Sequence, residues 1–530
     1  MNFKVKKMFS DSKHLILLFN SFLYSFAYVF FLHKKTVDDQ LVSLKNVLLV
    51  TIMTLCMFAI LMIACSSSTK NKIENYIQKV ATHPLTTALG IVAIFRVWYS
   101  AQLRSFILYY DTKTYTLFDH NILVGETDIF RTPGYPYFIK LISFFSGARL
   151  DGTSAEVRFY SAIVFVQSIL SFASVILFYL AGRKIFKNRY ILTLAATVYG
   201  VAPSVVNWDS CILTESVSLF LTVLLIFLIF SYLDKPKLYK AIILPIYCFL
   251  MIMFRPSFIY LLAVIGVFFI ARLIFCAKDR KKAVCGLVSS ALSVILLLSY
   301  CGLNYKNYGY FSISSVSTCV NKLYIVISRG IYANEDYPEI TAHIRTELEK
   351  EPENVISDVI EPLPEFFAYK DIANYTNDCI EKHSHSYKIY TKEKIENVLD
   401  DDVACVYAKP AQENERFEEI SMLLTRLTFP FTFESCLYIV AVALIIALIA
   451  FIFKKRICWH IIGLCAIIFS QIVVSVFGSM AEFSRLTITI IPATIMLCFY
   501  LVDLILSPKI EFNIGLNLDD NNSTKINTKK

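Results

Sequence analysis

Most of this chain consists of apolar runs separated by short polar breaks. A helix needs about 20 such residues to cross a bilayer. Twelve runs stand out, at residues 14–33, 46–65, 84–103, 157–182, 190–207, 212–232, 239–254, 257–277, 283–303, 434–454, 457–478 and 485–506. In lipid every backbone polar group must find its partner inside the segment, so each run is predicted to be a helix. Residues 137–145, after a turn made by Pro133, Gly134 and Pro136, read instead as a short amphipathic helix lying on the membrane. The expected architecture is an all-α polytopic membrane protein of about 12 transmembrane helices.

Residues 304–433 are the one long polar segment. Charged stretches at 338–350 and 415–427 predict helices, while Tyr/Val-rich pieces around 387–390 and 404–407 suggest strand, giving a mainly helical, partly mixed α/β extracytoplasmic loop. Phe417, Ile420, Leu424 and Leu427 recur at helical spacing and are expected to form a packing face. The expected organisation is a two-helix membrane extension (1–83), a transmembrane core (84–303) with its first outer loop at 104–156, the loop domain (304–433), C-terminal transmembrane helices (434–506) and a disordered cytoplasmic tail (507–530). The loop domain is expected to act as a lid contributing to acceptor choice.

Composition fits this reading: of 530 residues, 56% are hydrophobic and only 18% charged. Lys and Arg concentrate at 66–83, 183–189, 233–238, 278–282 and 455–456, which places these segments and both termini in the cytoplasm. Lys34, Lys35 and Lys45 dissent, and leave the first hairpin the weakest part of the topology. The first apolar run, interrupted by Asn20, Ser21 and Tyr24, is expected to be a retained anchor rather than a cleaved signal. The net charge of +9 is accounted for by inner-loop lysines, so nucleic acid is not an expected partner. Most of the 14 cysteines lie in apolar runs. Cys319, Cys379 and Cys405 fall in the outer loop, where one bridge is allowed. The pair His383 and His385 reads as solvated loop rather than metal ligands.

This topology gathers the unusual charges on the outer face. Asp111, Tyr115 and Arg131 lie in the first outer loop, and Asp209 and Glu215 near the outer end of the 190–232 hairpin. Arg255 precedes the Pro256 break, Lys306 follows a span, and Glu482 and Arg485 flank the start of the last. A charge within a span costs roughly 2.5–3.5 kcal/mol on insertion scales unless paired or hydrated, so several together imply a wet cavity.

Asp111, Tyr115 and the run Arg131-Thr-Pro-Gly-Tyr-Pro136 resemble the first outer loop of bacterial GT-C glycosyltransferases, the family 39-like enzymes related to aminoarabinose transferases and protein O-mannosyltransferases. Ala202-Pro203 before Glu215, Phe254-Arg-Pro256, Lys306-Asn-Tyr-Gly309, and Glu482 to Arg485 before Ile491-Pro492 follow in the order such enzymes show. The resemblance covers residues 84–506. It implies an inverting transfer of a sugar from a polyprenyl-phosphate carrier to a glycan, lipid or protein acceptor at the extracytoplasmic face of the cell membrane. Asp111 is the expected proton acceptor, with Arg131, Tyr115, Arg255, Lys306 and Arg485 binding the phosphate. Glu215 or Asp209 is expected beside the developing oxocarbenium charge. Relatives often carry a second acid after the catalytic one; here that position is Thr112. Arg and Lys can meet the phosphate charge, so no metal or other cofactor is expected to be required. The competing class is a transporter or flippase of lipid-linked saccharides, which would place its charges at the bilayer midplane.

Overall fold

The structure, a computed structural model, describes residues 84–147, 154–316, 320–404, 415–454, 457–478 and 483–513. The chain divides into two compact units, 1–87 and 88–530, and the site lies wholly in the second. The first two expected spans, Cys319, Cys405, Glu482 and the tail from 514 lie outside the described residues.

The apolar runs fold as helices α1 (Pro84–Ser100), α4 (Ser154–Gly182), α5 (Arg189–Val201), α6 (Glu215–Asp234), α7 (Leu238–Phe254), α8 (Tyr260–Phe275), α9 (Arg280–Tyr308), α15 (Phe433–Lys454), α16 (Trp459–Gly478) and α18 (Ile491–Asn513). Between them stand α2 (Tyr110–Thr116), α3 (Gly134–Ser146) and α17 (Phe483–Thr487). Among the described residues seven helices are long and apolar enough to cross a membrane, eight if α5 and residues 203–210, bent by 51°, count as one span. That is fewer than the expected twelve. Besides the two runs outside the described residues, α1 and α7 are each only 17 residues long.

The polar segment forms α10 (Asn321–Ser328), α11 (Pro338–Leu348), α12 (Tyr369–Lys382), α13 (Ser384–Asp400) and α14 (Glu415–Thr428). The expected mixed α/β character is not found among the described residues: 387–390 lie inside α13, and β pairing is limited to isolated bridges. The expected apolar face of α14 is also corrected. Its buried stripe is Phe417, Ser421 and Thr425, while Ile420 and Leu427 are exposed. The polar residues are selected because Tyr99, at the end of α1, hydrogen-bonds Ser421 at 2.5 Å and packs its ring 5.0 Å from Phe417. Cys379 is a buried free thiol, accepting from Asn334 Nδ2. His383 and His385 are exposed.

The bend after α5 frees backbone carbonyls inside an apolar bundle, and such groups must be re-paired. Gln167 of α4, fully buried, does this by donating from Nε2 to the carbonyls of Asp209 (3.1 Å) and Cys211 (2.8 Å). The strand-like pairing of Ile107 with Cys211 then ties the first outer loop to the bend, with Ile107 N donating to Ser210 O at 2.8 Å.

Candidate active site

The seven-residue helix α2 is placed by Thr112. Its hydroxyl accepts from Tyr109 N at 2.9 Å, which caps the helix, and donates to Ile212 O at 3.1 Å, which fastens it to the bend. Thr112 is therefore a buried buttress, 1% exposed. Asp111 is thereby held in the first turn, where the helix dipole favours an anion.

Arg131 lies across α2. Its Nε donates to Thr114 Oγ1 at 2.8 Å, Nη1 to Tyr115 OH at 3.1 Å and Nη2 to Asp111 Oδ1 at 2.7 Å, with the guanidinium 4.5 Å from the Tyr115 ring centroid. Phe130, whose ring centroid lies 4.8 Å from the same guanidinium, packs on the core of the polar segment around Leu323, Ile344 and Leu363. After Thr132 and Pro133 the chain enters α3, whose first residue must be glycine. A Cβ on Gly134 would stand 2.6 Å from the carbonyl oxygen of Met253, at the end of α7. This backbone contact brings Arg131 and Arg255 to one place. The anticipated rigid turn is thus the first turn of α3, which buries Tyr135, Ile139 and Ile142 and exposes Leu141, Phe144 and Phe145.

Arg485 joins the remaining parts. Its Nη2 donates to Asp111 Oδ2 at 2.8 Å and its Nε to Glu215 Oε1 at 2.7 Å. Glu215 opens α6, is 1% exposed, and also accepts from Arg255 Nη2 at 3.4 Å. Arg255 sits in extended conformation (φ −151°, ψ 115°) at the Pro256 break, 6% exposed, and its Nη1 is buried with no hydrogen-bond partner. Burial pushes the Asp111 carboxyl upward, but the guanidinium groups of Arg131 and Arg485 outweigh it and hold the group below its ordinary value. Burial pushes Tyr115 up, so its phenol stays protonated and able to donate.

Six of the seven expected site residues therefore meet: Asp111, Tyr115, Arg131, Glu215, Arg255 and Arg485. Lys306 does not join them. It is exposed on the last turn of α9, where Asn307 donates to Gly125 O (2.9 Å) and Tyr308 to Thr127 O, tying that helix to the first outer loop. Asp209 is also elsewhere, buried 3.3 Å from Arg96 Nη1 and accepting from Ser216 at 2.7 Å. Thr112, Thr114, Gln167 and Tyr135, whose hydroxyl donates to Gln167 Oε1 at 2.7 Å, support the site without having been anticipated.

No protein-family model and no curated relative matches the chain. Solved structures similar to it include the archaeal oligosaccharyltransferase AglB from Archaeoglobus fulgidus in complex with an inhibitory peptide and a dolichol-phosphate, at 13% identity and a TM-score of 0.41, covering 82% of this chain and 52% of that one. The oligosaccharyltransferase of the same organism in complex with Zn and sulfate gives 13% identity and a TM-score of 0.44, covering 81% and 50%. The chain spans about half the length of these structures. At such scores the site has to be read from its own residues.

Proposed function

We propose that this protein is an integral-membrane, inverting glycosyltransferase of the GT-C type. It moves a sugar from a polyprenyl-phosphate carrier to a glycan, lipid or protein acceptor on the extracytoplasmic face of the cell membrane. The observation that supports this reading is the charge cluster itself. Three guanidinium groups, of Arg131, Arg255 and Arg485, face only two carboxylates, Asp111 and Glu215, where the first outer loop meets the ends of α6 and α7 and the short helix before α18. The excess positive charge suits a phosphate, and Arg255 Nη1 is a buried donor that a phosphate oxygen would satisfy.

The acceptor hydroxyl gives its proton to Asp111 as its oxygen bonds to the anomeric carbon. The bond from that carbon to the phosphate oxygen breaks, its electron pair stays on the phosphate, and polyprenyl phosphate leaves. Arg485 and Arg255 take up the growing charge, so that role is assigned to guanidinium groups and no metal is invoked. In the resting site both Asp111 oxygens are held by arginines. Donor phosphate competes for Arg485 and thereby releases Oδ2, so donor binds before acceptor. Glu215 keeps the arginines in place. A transporter or flippase would carry its charges at mid-membrane; here Glu215 opens α6, Arg255 follows α7 and Arg485 lies in the short helix before α18.

The test is release of carrier from a panel of polyprenyl-phosphate sugars by purified protein. Asp111→Asn and Arg131→Ala are each expected to lose turnover, by about 10²- to 10⁴-fold for the base, with the fold retained. Normal turnover by Asp111→Asn would remove Asp111 from the role of base.

A further inference from the structure

A cleft of about 640 Å³, lined by none of the charge-cluster residues, is formed by α13 with Ile325 of α10 and Phe477 near the end of α16. Its lining is apolar at Ile325, Ile395 and Phe477 and basic at Lys388, Lys392 and Lys394, with Ile395 and the three lysines all on α13. Phe477 stands one residue before the end of an apolar helix long enough to span a membrane, and is 62% exposed. Lys394 is half-buried and lies 5.3 Å from the ring centroid of Phe483, which is two residues before Arg485. Lys392 pairs with Glu396 at 3.7 Å, so the lining carries three lysines and one acid.

A surface that is greasy where a span ends and basic just beyond it matches one kind of ligand. Acyl chains continue along the apolar helix, and an anionic headgroup meets the lysines at headgroup depth. A soluble anion would gain nothing from Phe477 and Ile395, and a zwitterionic lipid would gain little from the lysines. Burial pushes the Lys394 ammonium down to about 8, and an anion beside it would offset that loss. Through Phe483 the occupant would bear on α17, the helix that carries Arg485.

We infer that this cleft is a binding site for an anionic membrane lipid, with its phosphate between Lys388 and Lys394 and its chains along Phe477. It does not depend on the glycosyltransferase reading. Native mass spectrometry of the full-length protein from nanodiscs of mixed phosphatidylglycerol and phosphatidylcholine should show phosphatidylglycerol selectively retained. Lys394→Met should weaken retention about fivefold, since a lysine near an anionic surface contributes about 1 kcal/mol, and the exposed pair Lys388→Glu with Lys392→Glu, which removes two lysines and adds two acids, by more than that. Lys394→Arg should restore it. Asp111→Asn should retain lipid as the wild type does, which separates this cleft from the charge cluster. Equal retention of both lipids, displacement by glycerol phosphate as effective as by the lipid, or loss of retention in Asp111→Asn would each overturn the assignment.

Discussion

Glu215→Gln is the most informative single change, because it alters one charge and little volume. Glu215 is 1% exposed and receives Arg485 Nε at 2.7 Å and Arg255 Nη2 at 3.4 Å, both arginines having side chains no more than 12% exposed. With an effective dielectric of about 20, each contact is a gross attraction of roughly 5–6 kcal/mol, most of which offsets the desolvation of the charges. Removing one partner leaves the other charges buried and uncompensated, for which about 3–5 kcal/mol is the usual loss. Glutamine can still accept a hydrogen bond, so the lower end, about 3 kcal/mol, is expected. Thermal unfolding in detergent should show a clearly lowered midpoint. Adding Arg255→Met to Glu215→Gln should recover part of the loss, with a coupling of about 1–3 kcal/mol in a double-mutant cycle. Removing a negative charge also raises the cluster's excess positive charge, so Glu215→Gln should be inhibited by polyprenyl phosphate at lower concentration than the wild type, while being less stable. Additive losses in the cycle, or stability unchanged by the single substitution, would refute the view that this ion pair organises the site.

Two further outcomes follow from the geometry. Gly134→Ala would force a methyl group against the backbone of Met253 and Phe254, so α3 must move from α7; a loss of about 1–3 kcal/mol in stability is expected, with carrier release reduced because Arg131 and Arg255 separate. Burial alone would raise the Asp111 carboxyl, yet Arg131 and Arg485 lower it on balance. Its ion pairs therefore contribute fully above the unfolded value of about 4 and are lost as pH falls through the lower native value. The midpoint measured against pH should decline below about pH 4 in the wild type and less steeply in Asp111→Asn; equal slopes would contradict the shift.

The helices of the bundle were legible because length and apolar content suffice where lipid is the solvent, and the expected runs from 84 onward each coincide with a helix. The site was legible in part. Asp111 and Arg485 are 374 residues apart, and no local pattern joins them; the expectation came from placing both on one face by counting spans and from the family resemblance. Thr112, Thr114 and Gln167 gave no such signal, since two of them act through backbone carbonyls and Thr114 through a hydroxyl on one arginine nitrogen. Lys306 failed on helical phase: α9 continues past it to Tyr308, turning Asn304 inward, fully buried and donating to Ser312 O at 2.7 Å, and Lys306 outward.

The polar segment shows why short Tyr/Val-rich pieces mislead. Tyr387, Tyr390 and Lys394 are three and four residues apart, a spacing that fits one face of a helix better than alternation in a strand. In α13 that face lines the lysine-bearing cleft beside Phe477. Strand propensity records a fit to a pleated, half-buried surface, and here a helix with a half-buried face meets the same preference. The aromatic pair was evidence of partial burial against the outer end of α16, and its three-residue spacing, rather than its composition, carried the secondary structure.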